Sequence, residues 1–426
     1  MWKILVVLFA HILVYFIICL RNLFILLQKR ENLRKYHIST NISFFLTEGN
    51  TMKFTVALPD FQKVLQSALQ AVPPKSTLPV LENFHFRLEG SELLITATDQ
   101  ELTIIATLLV EGASNGEMLV PARKLSDIVK ALGNAGRISF SADGKSYKIT
   151  LKTDFGEYVL HGLDANEFPS VPDFTKGTTI QIPGREAMRI AKTAAFAASR
   201  DEYRPAMTGM LFECDVTRIN AVTTDGYRLV KVTLQAESSS PLADKKTDVV
   251  IPVRAVDLLK RIDGDLTMLV SDTHAKFTTG TSTIITRIID ERFPPYESVI
   301  PQGNDKFVRI GTSELTASVK RVALFSNTNT KQIRFSLSGN KLTVIAEDQE
   351  TGNKAQEEIT CDYAGESFEI GFNHRYIEEA IAHLSEDGTD ATVLSFSTPN
   401  RAALMKPLRD DTEGDDVLML VMPVRL

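Results

Sequence analysis

Three times between Met52 and Leu426 the chain runs through one order of elements, with a period of roughly 120–130 residues. This repetition limits the possible folds more than any other feature. Its clearest unit is EMLVPARKLSDIVKAL, residues 117–132. Met118, Leu119 and Val120 make a short β-rich run, which Pro121 ends while presetting φ for a first helical turn. Behind it Leu125, Ile128, Val129 and Leu132 recur at helical spacing as one apolar stripe, and Arg123, Lys124 and Lys130 fall off that stripe. The unit returns as VVIPVRAVDLLKRI over 249–262, where Pro252, Arg254 and Lys260 echo Pro121, Arg123 and Lys130. It returns more faintly as FEIGFNHRYIEEAIAHL over 368–384.

The surrounding elements repeat too. Each copy opens with a strand and an amphipathic helix, at 61–72, 185–199 and 313–327. Next comes a hairpin leading to an acidic turn: LITATDQE at 94–101, INAVTTDGYR at 219–228 and LTVIAEDQE at 342–350. Copies one and two end in matching linkers, LDANEFPSVP at 163–172 and IDERFPPYESVIP at 289–301, and copy three ends with VLMLVMPVRL. Alternating strands such as 147–152 and 283–289 suit antiparallel sheets with one buried face. Two helices and about eight short strands per copy predict an α+β domain. The expected domains are 52–174, 175–302 and 303–426. Two low-complexity stretches, 238–241 and 410–416, are expected to be solvated tips.

The first fifty-one residues stand apart. ILVVLFAHILVYFIICL at 4–20 is apolar but for His11, near the length of a membrane span, and Arg21, Lys29, Arg30, Arg34 and Lys35 follow it. One reading is a membrane anchor on a binding protein. The favoured one is a misassigned start, because Met52-Lys53-Phe54 opens an amphipathic pattern of its own; this predicts a cytoplasmic protein. The three cysteines, Cys19, Cys214 and Cys361, form no CxxC pair and suit a reducing compartment.

Charge is segregated by element. The expected helices, 58–72, 121–133, 183–199, 252–262, 312–327 and 373–384, carry thirteen basic and seven acidic residues, a net +6. The chain from Met52 onward carries 41 basic and 51 acidic residues, a net −10. If the helices share one face, that face is a basic track on an acidic body. Neither an aromatic ladder nor a helix-turn-helix or zinc-finger spacing accompanies the basic residues, so the implied contact is with phosphate backbone.

A catalytic constellation is not legible. The histidines do not pair with Cys or Glu at metal-ligand spacing, and His374 and His383 share a helix without a third ligand. There is no GxxxxGK[ST], no GxGxxG after a strand and no GxSxG elbow. Asp99, Asp225 and Asp348 occupy equivalent turns in separate copies, where turn-capping is their expected role. An enzyme built from the repeats is therefore disfavoured, and neither metal nor cofactor is expected.

MKFTV (52–56), TLPVL (77–81), VPARKL (120–125), EFP (167–169), GMLFE (209–213), TDGYRL (224–229), RFPPY (292–296), NHRY (373–376) and the terminal MPVRL resemble the bacterial DNA polymerase III beta subunit, the sliding-clamp family. The resemblance covers 52–426 in order. It implies a non-catalytic processivity factor, a head-to-tail homodimer whose six domains close a ring around duplex DNA. Twelve helices would line the hole and continuous sheet would form the outside. The implied partners are the polymerase III alpha subunit, the clamp loader, and other replication and repair proteins.

The same resemblance implies site residues. Leu324 and Phe325 of one subunit would meet Tyr158 and Leu160 of the other. Partner peptides would enter a groove lined by Met207, Thr224, Gly226, Tyr227, Arg228, Leu229, Pro294, Val299, Asn373, Tyr376, Val421, Met422, Pro423, Val424, Arg425 and Leu426. Apolar pockets and an adaptable Met suit varied anchors, and Arg228 and Arg425 would orient polar groups. DNA-facing candidates are Lys75, Arg123, Lys130, Arg189, Lys192, Arg200, Arg204, Arg254, Lys260 and Lys320. Two departures stand out: Ser298 where the family often has arginine, and Tyr227 where histidine is common. The family's paired tyrosines near Pro205-Ala206 are also missing.

Overall fold

Side chains that alternate between buried and exposed build most of this chain. In the strand Thr51–Ala57, for instance, Met52, Phe54 and Val56 are buried and the residues between them are not. The computed structural model describes residues 51–133, 136–236, 241–386, 390–408 and 416–426. The apolar segment at 4–20 lies outside the described residues, as do 238–240 and 410–415 of the expected tips.

The first copy runs β1 (Thr51–Ala57), α1 (Leu58–Ala68), β2 (Asn83–Glu89), β3 (Glu92–Thr98), β4 (Leu102–Leu109), β5 (Glu111–Ser114), β6 (Gly116–Pro121), α2 (Ala122–Leu132), β7 (Arg137–Asp143), β8 (Lys148–Thr153) and β9 (Gly156–His161). The second runs β10 (Thr178–Ile182), α3 (Gly184–Ala194), β11 (Gly209–Cys214), β12 (Arg218–Thr224), β13 (Arg228–Gln235), β14 (Thr247–Pro252), α4 (Val253–Leu258), β15 (Leu266–Val270), β16 (His274–Thr278) and β17 (Ser282–Arg287). The third runs β18 (Lys306–Gly311), α5 (Thr312–Ala323), β19 (Gln332–Ser338), β20 (Lys341–Asp348), β21 (Asn353–Thr360), β22 (Phe368–Asn373), α6 (His374–Glu386), β23 (Ala391–Phe396), β24 (Ala403–Pro407) and β25 (Asp416–Val421). Met52–Leu426 forms one compact unit.

Local chemistry accounts for the helices. In α1, Leu58, Phe61, Leu65 and Ala68 face the core, with Asp60 in the first turn where the helix dipole favours an anion. In α2, Leu125 and Val129 are buried while Ile128 and Leu132 are half-buried, so the apolar stripe is real but narrower than its spacing suggests. Pro121 stands one position earlier than expected. It is the N-cap, not a residue of the first turn, with φ −55° and ψ 107°. Pro183 and Pro252 do the same at α3 and α4. Extended ψ lets the ring end the strand, and its missing N–H costs nothing where no partner strand needs it.

Each copy divides its strands between two sets. The first strand and the last three form one set, joined in the first copy by the short β5, and four middle strands form the other. Strand β17 pairs antiparallel with β4, and β25 with β13, so sets from neighbouring copies fuse. The results are two eight-stranded sheets, β10-β15-β16-β17-β4-β3-β2-β6 and β14-β11-β12-β13-β25-β24-β23-β18. Two shorter sheets remain at the ends of the repeat array, β5-β1-β7-β8-β9 and β21-β20-β19-β22. Their outer strands, β9 and β21, pair on one side only.

One core runs through all three copies beneath the helix pairs α1–α2, α3–α4 and α5–α6. A second, smaller core lies on the opposite face of the β14-to-β18 sheet. There Leu211, Val222, Leu229, Val250, Leu404 and Leu420 meet Phe293 and Tyr296 of the linker. The strands alternate cleanly between these cores: Met210 and Phe212 serve the first, Leu211 the second.

Candidate partner groove and basic helical surface

The acidic turn after β12 explains how the groove begins. Asp225 Oδ1 accepts from the amides of Tyr227 (2.9 Å) and Arg228 (3.0 Å), and Thr224 Oγ1 donates to the Arg228 carbonyl (2.6 Å). Gly226 adopts φ 91°, a left-handed conformation that favours glycine. A Cβ there would lie 3.3 Å from Arg204 Nη1 and 3.5 Å from Met207 Cε, so these two side chains press against the turn. Asp99 and Asp348 cap their own turns in the same way, accepting from Leu102 N (2.8 Å) and Glu350 N (3.2 Å).

The C-terminal segment forms the facing wall. Met422 N donates to the Tyr227 carbonyl (2.8 Å), and Val424 N to the Gly371 carbonyl (2.9 Å). The last residues thus leave the large sheet at β25 and bridge to β22 of the last sheet. Gln332 Nε2 donates to the Arg425 carbonyl (3.2 Å) and holds the end of the tail. The rings of Tyr227 and Tyr376 stack with centroids 6.3 Å apart, closing the gap between second and third copies. Val421 and Leu229 are buried, whereas Tyr227, Val299, Met422, Arg425 and Leu426 are exposed and Pro294, Pro423 and Val424 half-buried. Apolar anchors around a two-tyrosine rim form a surface suited to short peptide segments.

Several residues hold places that spacing could not assign. Arg228 does not project its guanidinium into solvent: its side chain is 11% exposed. Nε bonds Asp225 (3.1 Å), Nη2 bonds the Phe196 carbonyl (3.0 Å) and Nη1 bonds Glu379 of α6. The guanidinium also lies over the rings of Phe196 and Tyr376 at 4.9 and 5.0 Å. Arg228 is therefore a tie between second and third copies, beneath the groove. Asn373 Oδ1 accepts from Arg375 N (3.1 Å) and starts α6. Phe196, Glu379 and Gln332 carry no motif; only the sheet and helix packing reveals them.

The linker residue Tyr296 donates its hydroxyl to Glu213 Oε2 (2.6 Å). Burial first, then this carboxylate, pushes the phenol well above its ordinary range and locks the linker onto β11.

The basic helical residues separate into committed and exposed groups. Arg254 bonds Asp99 and the Gln70 carbonyl (2.8 Å), tying second copy to first. Arg189 is 12% exposed and pairs with Glu186 (2.6 Å), so it is turned inward and not presented to a ligand. Arg123 reaches the Val72 carbonyl (3.1 Å), and Arg204, expected on a DNA rim, pairs with Asp201 (2.8 Å) beside the groove turn. Lys75, Lys130, Lys192, Arg200 and Lys320 are exposed, and Lys260 is half-buried beside Asp257 (2.7 Å). Tyr203, next to Arg204, is 95% exposed. Leu324 and Phe325 project at 82% and 43% exposure where α5 ends, Tyr158 is half-buried on β9, and Leu160 is already buried within its own copy.

Among the described residues, no group of three or more His, Cys, Asp or Glu gathers as a metal site, and no helix is long and apolar enough to cross a membrane.

Known proteins match this architecture across residues 52–425. Profiles described as DNA polymerase III beta subunit, N-terminal, central and C-terminal domain, match residues 52–172, 181–295 and 297–425. The beta sliding clamp of Pseudomonas putida KT2440 is 32% identical over 380 residues, covering 88% of this chain and all of the relative. That of Escherichia coli K12 is 27% identical over the same shares. The crystal structure of the Pseudomonas aeruginosa sliding clamp bound to griselimycin superposes with a TM-score of 0.81 at 32% identity, covering 88% of this chain and 100% of that one. With all three repeats thus matched, the chain belongs to the DNA polymerase III beta subunit family, the sliding clamps of DNA replication.

Proposed function

We propose that this protein is a non-catalytic processivity clamp working as a head-to-tail dimer that encircles duplex DNA. The carrying observation is the pair of unpaired strand edges. Inside the chain, β17 of one copy joins β4 of the copy before it, and β25 joins β13 likewise. The pattern leaves β9 without a β21 and β21 without a β9. A second chain supplies both, and two such heterologous joins close a six-domain ring. Leu324 and Phe325 lie where α5 packs on β21, so exposed apolar surface adjoins the open edge.

The domains are 52–174, 175–302 and 303–426, each bringing one helix pair to the ring's inner surface. Lys75, Lys130, Lys192, Arg200, Lys260 and Lys320 are the phosphate-facing residues on this reading. An acidic body with a modestly basic lining slides, because weak contacts hold it loosely while topology prevents escape. The groove takes peptides of the polymerase III alpha subunit, the clamp loader and repair proteins, and the site of action is the bacterial cytoplasm.

Loading onto nicked circular DNA by a clamp loader with ATP tests the ring. The expected result is retention at high salt until the circle is cut. Release by salt from an intact circle would refute topological binding. Deleting Met422 to Leu426 tests the groove: polymerase-peptide binding should vanish while the dimer persists, and unchanged peptide affinity would refute the assignment.

A further inference from the structure

In two of the three copies the acidic turn holds an arginine. Asp99 accepts the Glu101 and Leu102 amides on Oδ1 (3.1 and 2.8 Å) and gives Oδ2 to Arg254, whose Nη2 donates to the Gln70 carbonyl (2.8 Å). Asp225 accepts the Tyr227 and Arg228 amides on Oδ1 and gives Oδ2 to Arg228 Nε, while Arg228 Nη2 takes the Phe196 carbonyl (3.0 Å). Gln70 and Phe196 are each the middle residue of the 3-10 turn that ends the copy's first helix. The guanidinium thus bridges the same two acceptors in both copies.

The third copy keeps the acceptors and lacks the arginine. Asp348 Oδ1 accepts the Glu350 amide (3.2 Å), but its side-chain donors are the neutral Asn327 Nδ2 (2.9 Å) and Thr351 Oγ1 (2.7 Å). Leu324 stands where Gln70 and Phe196 stand. Ser326 N donates to the Ala323 carbonyl as Val72 N does to Leu69 and Ala198 N to Ala195, and in each case the next carbonyl along is the one in question. Among the described residues no cation pairs with Asp348 and no hydrogen bond ends on the Leu324 carbonyl.

The sequence indicates where each turn finds its cation. Three residues after the aspartate, the second copy has Arg228 and supplies its own guanidinium. Leu102 and Thr351 hold that place in the first and third copies, so neither can. The first copy is served instead by the copy that follows it, through Arg254, the second residue of α4. In a head-to-tail ring the copy that follows the third is the first copy of the partner subunit. The second residue of its α2 is Arg123. Within one chain Arg123 is exposed, reaches only the Val72 carbonyl (3.1 Å), and has no carboxylate partner among the described residues. Most of its five-donor fork is therefore available.

We propose that in the dimer Arg123 of each subunit grips the Asp348 carboxylate and the Leu324 carbonyl of the other, completing at both joints the tie that Arg254 makes inside the chain. A planar fork suits a carboxylate and a carbonyl side by side, and the ion pair is charge-assisted. The inference rests on the ring reading and deepens it: Arg123 serves closure of the ring and not contact with DNA.

Dimer dissociation constants of the full chain, Arg123→Gln, Asp348→Asn and the double variant would be measured by sedimentation at several salt concentrations. Asp348→Asn keeps the oxygen that caps the turn and removes only the charge. Each single variant should weaken a joint roughly 5-fold, hence the two-joint dimer about 25-fold. The double variant should be no weaker than either single, because both remove one interaction; independent effects would multiply toward about 600-fold. Arg123→Lys, which keeps the charge without the fork, should fall between parent and Arg123→Gln. Equal thermal midpoints in dilute monomer would establish that the variants are folded. A dimeric parent whose single variants dissociate no more readily would overturn the tie and leave the ring standing, as would losses that multiply in the double variant. Weaker duplex binding by Arg123→Gln with an unchanged dimer would overturn it in favour of a DNA contact. A parent that stays monomeric at every concentration would overturn the ring reading itself, and the tie with it.

Discussion

At Gly371 two backbones lie so close that a single carbon decides whether the tail can dock. A Cβ there would stand 2.8 Å from Leu426 Cδ2 and 2.9 Å from the Val424 carbonyl. Gly371→Ala should therefore push the C-terminal wall away from β22 and weaken groove-peptide binding about 10-fold, with the dimer intact; fluorescence anisotropy and sedimentation measure both. Cys214 presents the opposite situation, a thiol sealed in the core. Burial, with smaller contributions from Asp248, Asp215 and Glu213, pushes it up to about 12. Because the folded value is raised, the thiol's contribution to stability is whole below about pH 9 and is lost as pH climbs toward about 12. Urea midpoints measured across that window should fall more steeply in the parent than in Cys214→Ala. In native protein near pH 8 the thiol should also alkylate at least ~100-fold more slowly than in urea.

Among the elements, the arginine ties matter most. Both grip the same feature of one copy: its acidic turn and a carbonyl in the 3-10 turn ending its first helix. Arg254 does so across the first joint, on Asp99 and Gln70. Arg228 does so within its own copy, on Asp225 and Phe196, and then reaches Glu379 across the second joint. Glu379 is 49% exposed, so the coupling between Arg228 and Glu379 should be about 1 kcal/mol after solvent screening. Arg228→Met should cost more, about 2–4 kcal/mol, because it also leaves Asp225 and the Phe196 carbonyl short of a donor. A double-mutant cycle followed by urea unfolding measures these terms. The elements themselves were legible in order and kind: the three strand–helix units, the acidic turns and the linkers follow from periodicity and Pro, Asp and Gly placement. The roles of Arg228, Arg254 and Arg189 were not. Each looks like a free surface cation in a helix or turn pattern; Arg228 and Arg254 are spent on partners far along the chain, and Arg189 is turned inward beside Glu186 by the packing of its helix.

For the whole molecule, the proposed dimer turns on the open edges of β9 and β21. Replacing Leu324 by Asp places a charge in the apolar surface beside that edge, and the expected outcome is a monomer with an unchanged fold, read by sedimentation and circular dichroism. On the ring reading, in which topology and not affinity retains the clamp, such a monomer should also fail to stay on nicked circles even at low salt. The sequence by itself determined the triple repeat, the α+β character of each copy, the segregation of basic residues onto helices, and the family motifs. All of these are local or periodic, and a pattern of burial repeats wherever the same element repeats. Tertiary structure alone decided which strands fuse across copies, where the second small core lies under the linker, how the tail meets the Tyr227 turn, and which cations remain exposed. Those outcomes depend on contacts between residues up to about two hundred positions apart, and such pairings leave no period in the chain.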